Sequence, residues 1–537
     1  MTNLRTLLAT TVLASAVALP ALAQDRPDLV IAVDNLWPTM DPVIGISTTG
    51  ARVHSNIFDT LVRRNRWEDP DGTELVPWLA ESWQQLSPLV WEFTIRDGVP
   101  FHDGHIMDAE DVAFSLSAER LWGDEPQAPR GTRYTRGFVR VEATGPNTVE
   151  IETSFPDPNL PFRMVTPIGF VLPKHHYDAV GTEAFGQMPM GTGPYQMTAF
   201  DPSVAVDAVA FDDYWAGEPP AASLRFEIVP EFSTRFAGLV AGEYDVVVSV
   251  PADQVDALEG TDGITVMEKG IENYPMFAFN MLETEALPDN PLTDVNLRKA
   301  IVAGVDREAI AEAIWGDATF VPTPFNFPEY GDYFDPNRAR GVPFDPEQAA
   351  AYLAESDYAG EELVWHITRG FYPNYEIAAE FMVEQWAELG INVRIALKDN
   401  FSLAYERPFH FLNMSMSSEF SGDPYRPLWM DWGPLSSRFR AHHKTWDMTE
   451  DFVKLGEAFE QSLEFEDRYQ AYLDLVAEWE RVTPGMYMWR NVVSYAIDED
   501  LNWDPGNSAV TIFDGLYLKS CDVRGTGSTA DPSPSRA

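Results

Sequence analysis

The sequence predicts an α/β protein of several domains, and three observations carry that reading. A chain of 537 residues is longer than a single core usually serves. Its residues are 45% hydrophobic and 12% aromatic, enough to fill more than one core. Residues 364–367, 376–389 and 392–397 read in turn as strand, helix closed by Gly390, and strand. That is a βαβ unit, which implies a parallel sheet with a right-handed crossover.

In chain order, Arg5 precedes an apolar run over 7–19 that ends at Pro20 and Ala21-Leu22-Ala23. This is the pattern of a secretory signal peptide over 1–23, and it predicts export with cleavage after Ala23. A membrane span needs about 20 continuous apolar residues, and Thr10, Thr11 and Ser15 interrupt this shorter run. No cysteine stands directly after the cleavage site, where Gln24 follows, which disfavours a lipid anchor. No later stretch is apolar enough to span a bilayer, so a soluble mature chain is expected.

Leu29-Val30-Ile31-Ala32-Val33 reads as a buried first strand, after which Asn35-Leu36-Trp37-Pro38 turns the chain. Trp91, Phe93 and Ile95 alternate with polar residues as in a half-buried strand, and Asp97-Gly98 supplies its turn. Asp108 caps an expected helix reaching Arg120, with Glu110 and Asp111 in its first turn. Leu297, Ala300, Ile301, Gly304, Val305 and Ile310 recur at helical spacing, predicting one helix over 297–315 capped by Thr293 or Asp294. A second long helix is expected over 450–481, and the polar, proline-bearing stretch 524–537 reads as a disordered tail.

Charge narrows the function. Asp and Glu number 84 against 37 Lys and Arg, a net charge of −47. So acidic a surface repels phosphate backbones, so no nucleic-acid partner is expected. The acidity keeps the chain soluble or favours a cationic ligand. Cys521 is the single cysteine, so no internal disulfide forms. No Gly-x-Ser-x-Gly, His-Glu-x-x-His or cysteine cluster appears. Gly191-Thr-Gly-Pro-Tyr lacks the spacing of a phosphate-cradling loop, and Pro194 removes a backbone donor. The chain therefore reads as no enzyme and needs no cofactor. His102-Asp103-Gly104-His105, His175-His176 and His442-His443 offer imidazoles, but adjacent histidines rarely converge on one ion, and no metal site is expected.

The stretch from Val90 to Ser115 holds an aromatic-x-aromatic strand, an Arg96-Asp97-Gly98-Val99 turn, Phe101-His102-Asp103-Gly104 and Asp108-Ala-Glu-Asp-Val112. In this order it resembles the signature segment of family 5 extracellular solute-binding proteins. Four further segments agree in order: 75–83, 191–195, 241–246, and Phe279-Asn280 followed by 294–308. The resemblance covers essentially the whole mature chain. It implies a type II periplasmic binding protein-like fold of three domains, in two lobes with a ligand cleft between them. Domain I would take residues 24–55, 190–272 and 496–523, domain II 56–189, and domain III 273–495.

The resemblance further implies a periplasmic receptor of an ABC importer, a monomer that captures a small solute and docks on the permease subunits. Peptides lead as cargo, with opines, oligosaccharides and a nickel or metal-chelate load as alternatives. In peptide-binding relatives an aspartate four residues before a proline pairs with the peptide amine. Here Phe420 stands four before Pro424, with Glu419 beside it. Either Glu419 takes the role or the ligand is not an ordinary peptide. Trp37, Asn273, Tyr274, Trp432, Trp489 and Arg490 are further candidates at strand ends facing the cleft. Arg369 and Arg490 are candidates for a bidentate grip on a ligand carboxylate.

Overall fold

The computed structural model describes residues 26–521 except 371, 373, 418–421, 435 and 437–443. The expected signal peptide 1–23, the tail 524–537, His442-His443, Glu419 and Phe420 lie outside the described residues.

The apolar run at the start of the described chain becomes the strand Asp28–Val33, parallel to both Ser223–Ile228 and Val246–Val248. It lies inside a seven-stranded sheet. On one side Val246–Val248 is followed by Val492–Asp498 and Ile264–Gly270; on the other Ser223–Ile228 is followed by Ala205–Ala210 and Tyr195–Asp201. These outer pairs are antiparallel. Leu29, Ile31 and Val33 enter one core with Ile57, Phe58 and Phe226, while Ala32 enters a second with Tyr244 and Val247. Burial on both faces is why this strand is uniformly apolar and not alternating.

A four-stranded antiparallel sheet, in the order Ala80–Ser87, Val90–Ile95, Thr148–Thr153 and Phe138–Gly145, completes the N-terminal lobe around Phe93, Ile95, Val149 and Ile151. The second lobe is built on five strands, ordered Val393–Lys398, Leu363–Thr368, Phe411–Ser417, Asn273–Phe279 and Gly485–Tyr487. Leu363–Thr368 and Val393–Lys398 pair in parallel across the helix Tyr375–Glu388, the βαβ unit expected from the sequence. Phe277, Trp365 and Trp386 pack on one face of this sheet, and Tyr274, Met414 and Trp432 on the other.

Three expected helices are divided. The first stops at Ser115 after a capping box between Asp108 and Asp111, and a π turn, Ala118–Trp122, follows, capped by Ser117. The interruption carries the buried Arg120 guanidinium to Asp41 at 3.0 Å. The second is two helices, Val295–Ala303 and Arg307–Trp315, capped by Asp294 and Asp306. They part after Gly304, where an added Cβ would lie 2.4 Å from the Leu389 side chain. The third is a helical hairpin of Glu450–Gln461 and Phe465–Val482, turned at Ser462 in extended backbone.

Two short crossings join the lobes: Ile271-Glu272 leads into the second, and residues 488–491 lead back. They run side by side. The Ile271 N–H donates to the Asn491 carbonyl at 2.8 Å, the Asn491 N–H to the Asn273 carbonyl at 2.8 Å, and the Asn491 side-chain amide to the Asn273 amide oxygen at 2.9 Å. No helix among the described residues is long and apolar enough to cross a membrane.

Candidate functional site

The signature segment fixes the floor of the N-terminal lobe through His102. The Gly191 N–H donates to its Nδ1 at 3.3 Å, so the proton sits on Nε2, which donates to the Gly193 carbonyl at 3.0 Å. Gly193 in turn donates to the Ile57 carbonyl at 3.0 Å. A Cβ at Gly191 would lie 2.1 Å from that same carbonyl oxygen, so only glycine allows this approach. Both nitrogens of His102 are therefore spent on holding Gly191-Thr-Gly193 against the end of the helix Thr48–Ile57.

Above this floor lies a cavity of about 90 Å³, walled by Ala51, His54, Phe58, Arg64, Phe170 and Tyr517 among others. The helix Thr48–Ile57, capped by the Ser47 hydroxyl, presents one wall. Asp59, fully enclosed beside it, accepts hydrogen bonds from the Trp78 and Trp215 indoles, the Tyr214 hydroxyl and Thr192, at 2.7 to 3.2 Å. Burial pushes its carboxyl above the usual range despite Arg63 and these donors. Arg63 pairs with Asp514 at 2.9 Å and lies 4.4 Å over the Trp78 ring.

Arg64 ties the cavity to the crossings. Its Nη1 meets Glu272 at 2.5 Å, its Nε donates to the Gly72 carbonyl at 2.7 Å, and its Nη2 to the Asp71 carbonyl at 2.5 Å. Arg66 reaches the same Glu272 oxygen at 2.9 Å. Glu272, in the first crossing, has a fully buried side chain, so two guanidinium groups of the N-terminal lobe grip a carboxylate on the connection itself. Arg64 also faces the second lobe: at Gly422 (φ +59°) a Cβ would come within 2.8 Å of its guanidinium carbon. Gly422 follows the strand Phe411–Ser417 in the sequence, two positions after Phe420.

A second bridge joins the lobes elsewhere. Arg468 donates to the Asn159 side chain at 2.6 Å and pairs with Asp423 at 3.2 Å, while Arg136 pairs with Glu460 at 2.5 Å. Asn159 and Arg136 belong to the N-terminal lobe, and Asp423, Glu460 and Arg468 to the second.

Of the residues singled out in the sequence, Asn273, Tyr274 and Arg490 come together at the crossings. Tyr274 stacks 3.7 Å from Phe327 and donates to the buried Glu329 at 3.0 Å. Arg490 donates to the Ile271 carbonyl at 3.2 Å and approaches Asp71 at 3.5 Å. Trp37 is partly exposed on the N-terminal lobe, under the Arg130 guanidinium at 5.0 Å. The structure places the remaining three candidates as follows. Trp432 is fully enclosed against Trp446 and Trp479, and Trp489 packs 4.8 Å from Trp315, so both are core rings. Arg369 is exposed beside Asp399 at 3.5 Å, a surface pair. His54, Arg64 and Glu272 were not singled out. The run Arg63-Arg64-Asn65-Arg66 was a signal, three cations within four residues of a strongly acidic chain; nothing local marks His54 or Glu272.

Two lobes on separate sheets, joined by paired crossings with a cavity beside them, define a bilobed binding protein. The chain belongs to the bacterial extracellular solute-binding proteins, family 5, whose middle region matches residues 74–437. It is 26% identical to the dipeptide-binding protein of Escherichia coli K12 over 346 residues, 60% of this chain and 63% of that protein. It is 27% identical to heme-binding protein A of Haemophilus influenzae over 350 residues, 60% of this chain and 61% of that one. The chain thus spans less than two thirds of either relative. The solved ABC transporter substrate binding protein CtaP of Listeria monocytogenes superposes with a TM-score of 0.78 at 18% identity, over 92% of this chain and 99% of that one, a likeness of fold.

Proposed function

We propose that this chain is the solute receptor of an ABC importer, taking a peptide or peptide-like small solute between its lobes and presenting it to the permease. It does so in the periplasm once residues 1–23 are removed, and it performs no chemistry on its cargo. The observation that carries this reading is the close approach of Gly422 to Arg64, which brings the second lobe against a wall of the first lobe's cavity. Glu419 and Phe420, just ahead of Gly422, are the residues we assign to the solute, with Trp37 on the opposite lobe. A dipeptide-binding relative favours peptides over the other cargoes.

Such a cleft works by closure. A solute that bridges both lobes binds the closed form better than the open one and shifts the population toward it. The permease then reads shape.

A thermal-shift screen of the mature chain against dipeptides, oligopeptides, opines, oligosaccharides, and nickel with or without histidine tests the proposal. A ligand at about 100 times its dissociation constant adds roughly 2.7 kcal/mol of stability, a plain rise in Tm. Peptides are expected to give that rise. A rise confined to another class reassigns the cargo, and no rise in a cooperatively folded sample removes the small-solute reading.

A further inference from the structure

The cations on the cavity wall are engaged: Arg63 with Asp514, Arg64 with Glu272 and two carbonyls, Arg66 with Glu272 and the Ser508 hydroxyl. Asp59 is likewise saturated with donors. His54 is different. It is 2% exposed, lines the cavity, and its Nε2 has no hydrogen-bond partner.

Its protonation follows from its surroundings. Burial holds the ring at a pKa of about 4, against the pull of the Asp41 carboxylate and of a hydrogen bond to the Thr39 backbone. A neutral imidazole has one N–H and one lone pair. The bond to Thr39 raises the ring's pKa, so the ring donates it, and since Nε2 is the nitrogen without a partner the donor is Nδ1. Nε2 is left as an acceptor. The ring cannot turn away easily: Cε1 lies against Gly45 and Gly50, where an added Cβ would fall 3.0 and 2.9 Å from it. The Phe58 ring stands edge-on at 6.4 Å.

A buried acceptor without a donor is a penalty that a ligand can relieve. We infer that His54 is a specificity-determining residue of the cavity, accepting through Nε2 a hydrogen bond from an amine or ammonium group of the solute. The inference rests on the solute-receptor reading and sharpens it. In a cavity whose cations are already paired, the group being asked for is a donor and not a carboxylate.

The test has two arms. With [¹⁵N]histidine-labelled wild-type protein, the His54 Nε2 resonance is followed as methylammonium or tetramethylammonium is added; the two share charge, and only the first donates. Nε2 is expected to shift with methylammonium alone. An unmoved resonance, or equal shifts with both, overturns the inference, and this arm needs no variant to fold.

In the second arm, calorimetry compares Ala-Ala with its N-trimethyl form on wild type, His54→Phe and His54→Gln. Ala-Ala is expected to bind wild type at least 10-fold more tightly than the trimethyl form, with that preference lost in His54→Phe and largely kept in His54→Gln, whose amide oxygen still accepts. Ala-Ala binding His54→Phe as tightly as wild type overturns the role of His54 and leaves the receptor reading standing. If Ala-Ala binds none of the three proteins, the peptide reading falls, and the methylammonium arm alone decides His54.

Discussion

At the scale of the residue, burial holds the imidazoles of His54, His102 and His410 neutral. His54, His102 and His410 all titrate at about 4, against an ordinary value near 6.5. In the unfolded chain each ring takes a proton below about pH 6.5, whereas in the folded chain it resists until about pH 4. The stability they contribute is therefore complete above pH 6.5 and is lost as the pH falls toward 4, by up to about 3 kcal/mol per ring. The enclosed carboxyls of Asp59 and Asp157, which burial raises, act in the opposite direction, so the slope has to be isolated one site at a time. For His102 the physical reason is plain: a proton on Nδ1 would meet the Gly191 N–H that now donates to it. His102→Asn is expected to lower stability at pH 7 and also to lose about 2 kcal/mol less than wild type between pH 7 and 4.5, read from denaturant midpoints. Equal losses in the two proteins would contradict the buried, neutral assignment. The sequence placed His102 in a family motif and weighed it as a metal donor, but no spacing rule could disclose that both its nitrogens are spent on Gly191 and Gly193, which lie 89 and 91 residues away.

At the scale of the element, patterns confined to a few residues were legible and interruptions were not. The first strand, the signature strand Val90–Ile95 and the βαβ unit around Tyr375–Glu388 stand where periodicity placed them, because each pattern reflects which faces are buried. Two of the divided helices were missed for a common reason. Apolar spacing continued across the break while the backbone did not, because the break answers to a distant partner: Leu389 against Gly304, or Asp41 waiting for Arg120. The cap at the hidden boundary is testable. Asp306 accepts from the Ala309 N–H at 3.0 Å, so Asp306→Ala is expected to lower stability by about 1 kcal/mol. In an uninterrupted helix the same change would be neutral or slightly stabilising, and urea unfolding separates the two.

At the scale of the whole molecule, the described residues join the lobes at two places. In the proposed receptor, the grip of Arg64 and Arg66 on Glu272 would act as the pivot, whereas Arg468 with Asn159 and Arg136 with Glu460 join surfaces that would separate on opening. Hydrogen bonds to charged groups contribute about 1.5–3 kcal/mol each. The Asn159→Ala, Arg136→Ala double variant is therefore expected to widen the ligand-free molecule in small-angle scattering and to weaken solute binding by roughly 30-fold, although neither residue lines the cavity. Unchanged scattering and affinity would mean that the pivot alone sets closure. None of these cross-lobe pairs could be read from sequence, since their members lie about 200 to 325 positions apart. That separation has a further consequence, for biogenesis. The strand Val492–Asp498 sits inside the first sheet, hydrogen-bonded on both sides, between Ile264–Gly270 and Val246–Val248. The N-terminal lobe consequently cannot finish its sheet until residue 498 has been synthesised. A polypeptide so arranged stays threadable until that strand emerges, and its first lobe and this late strand reach the native state together.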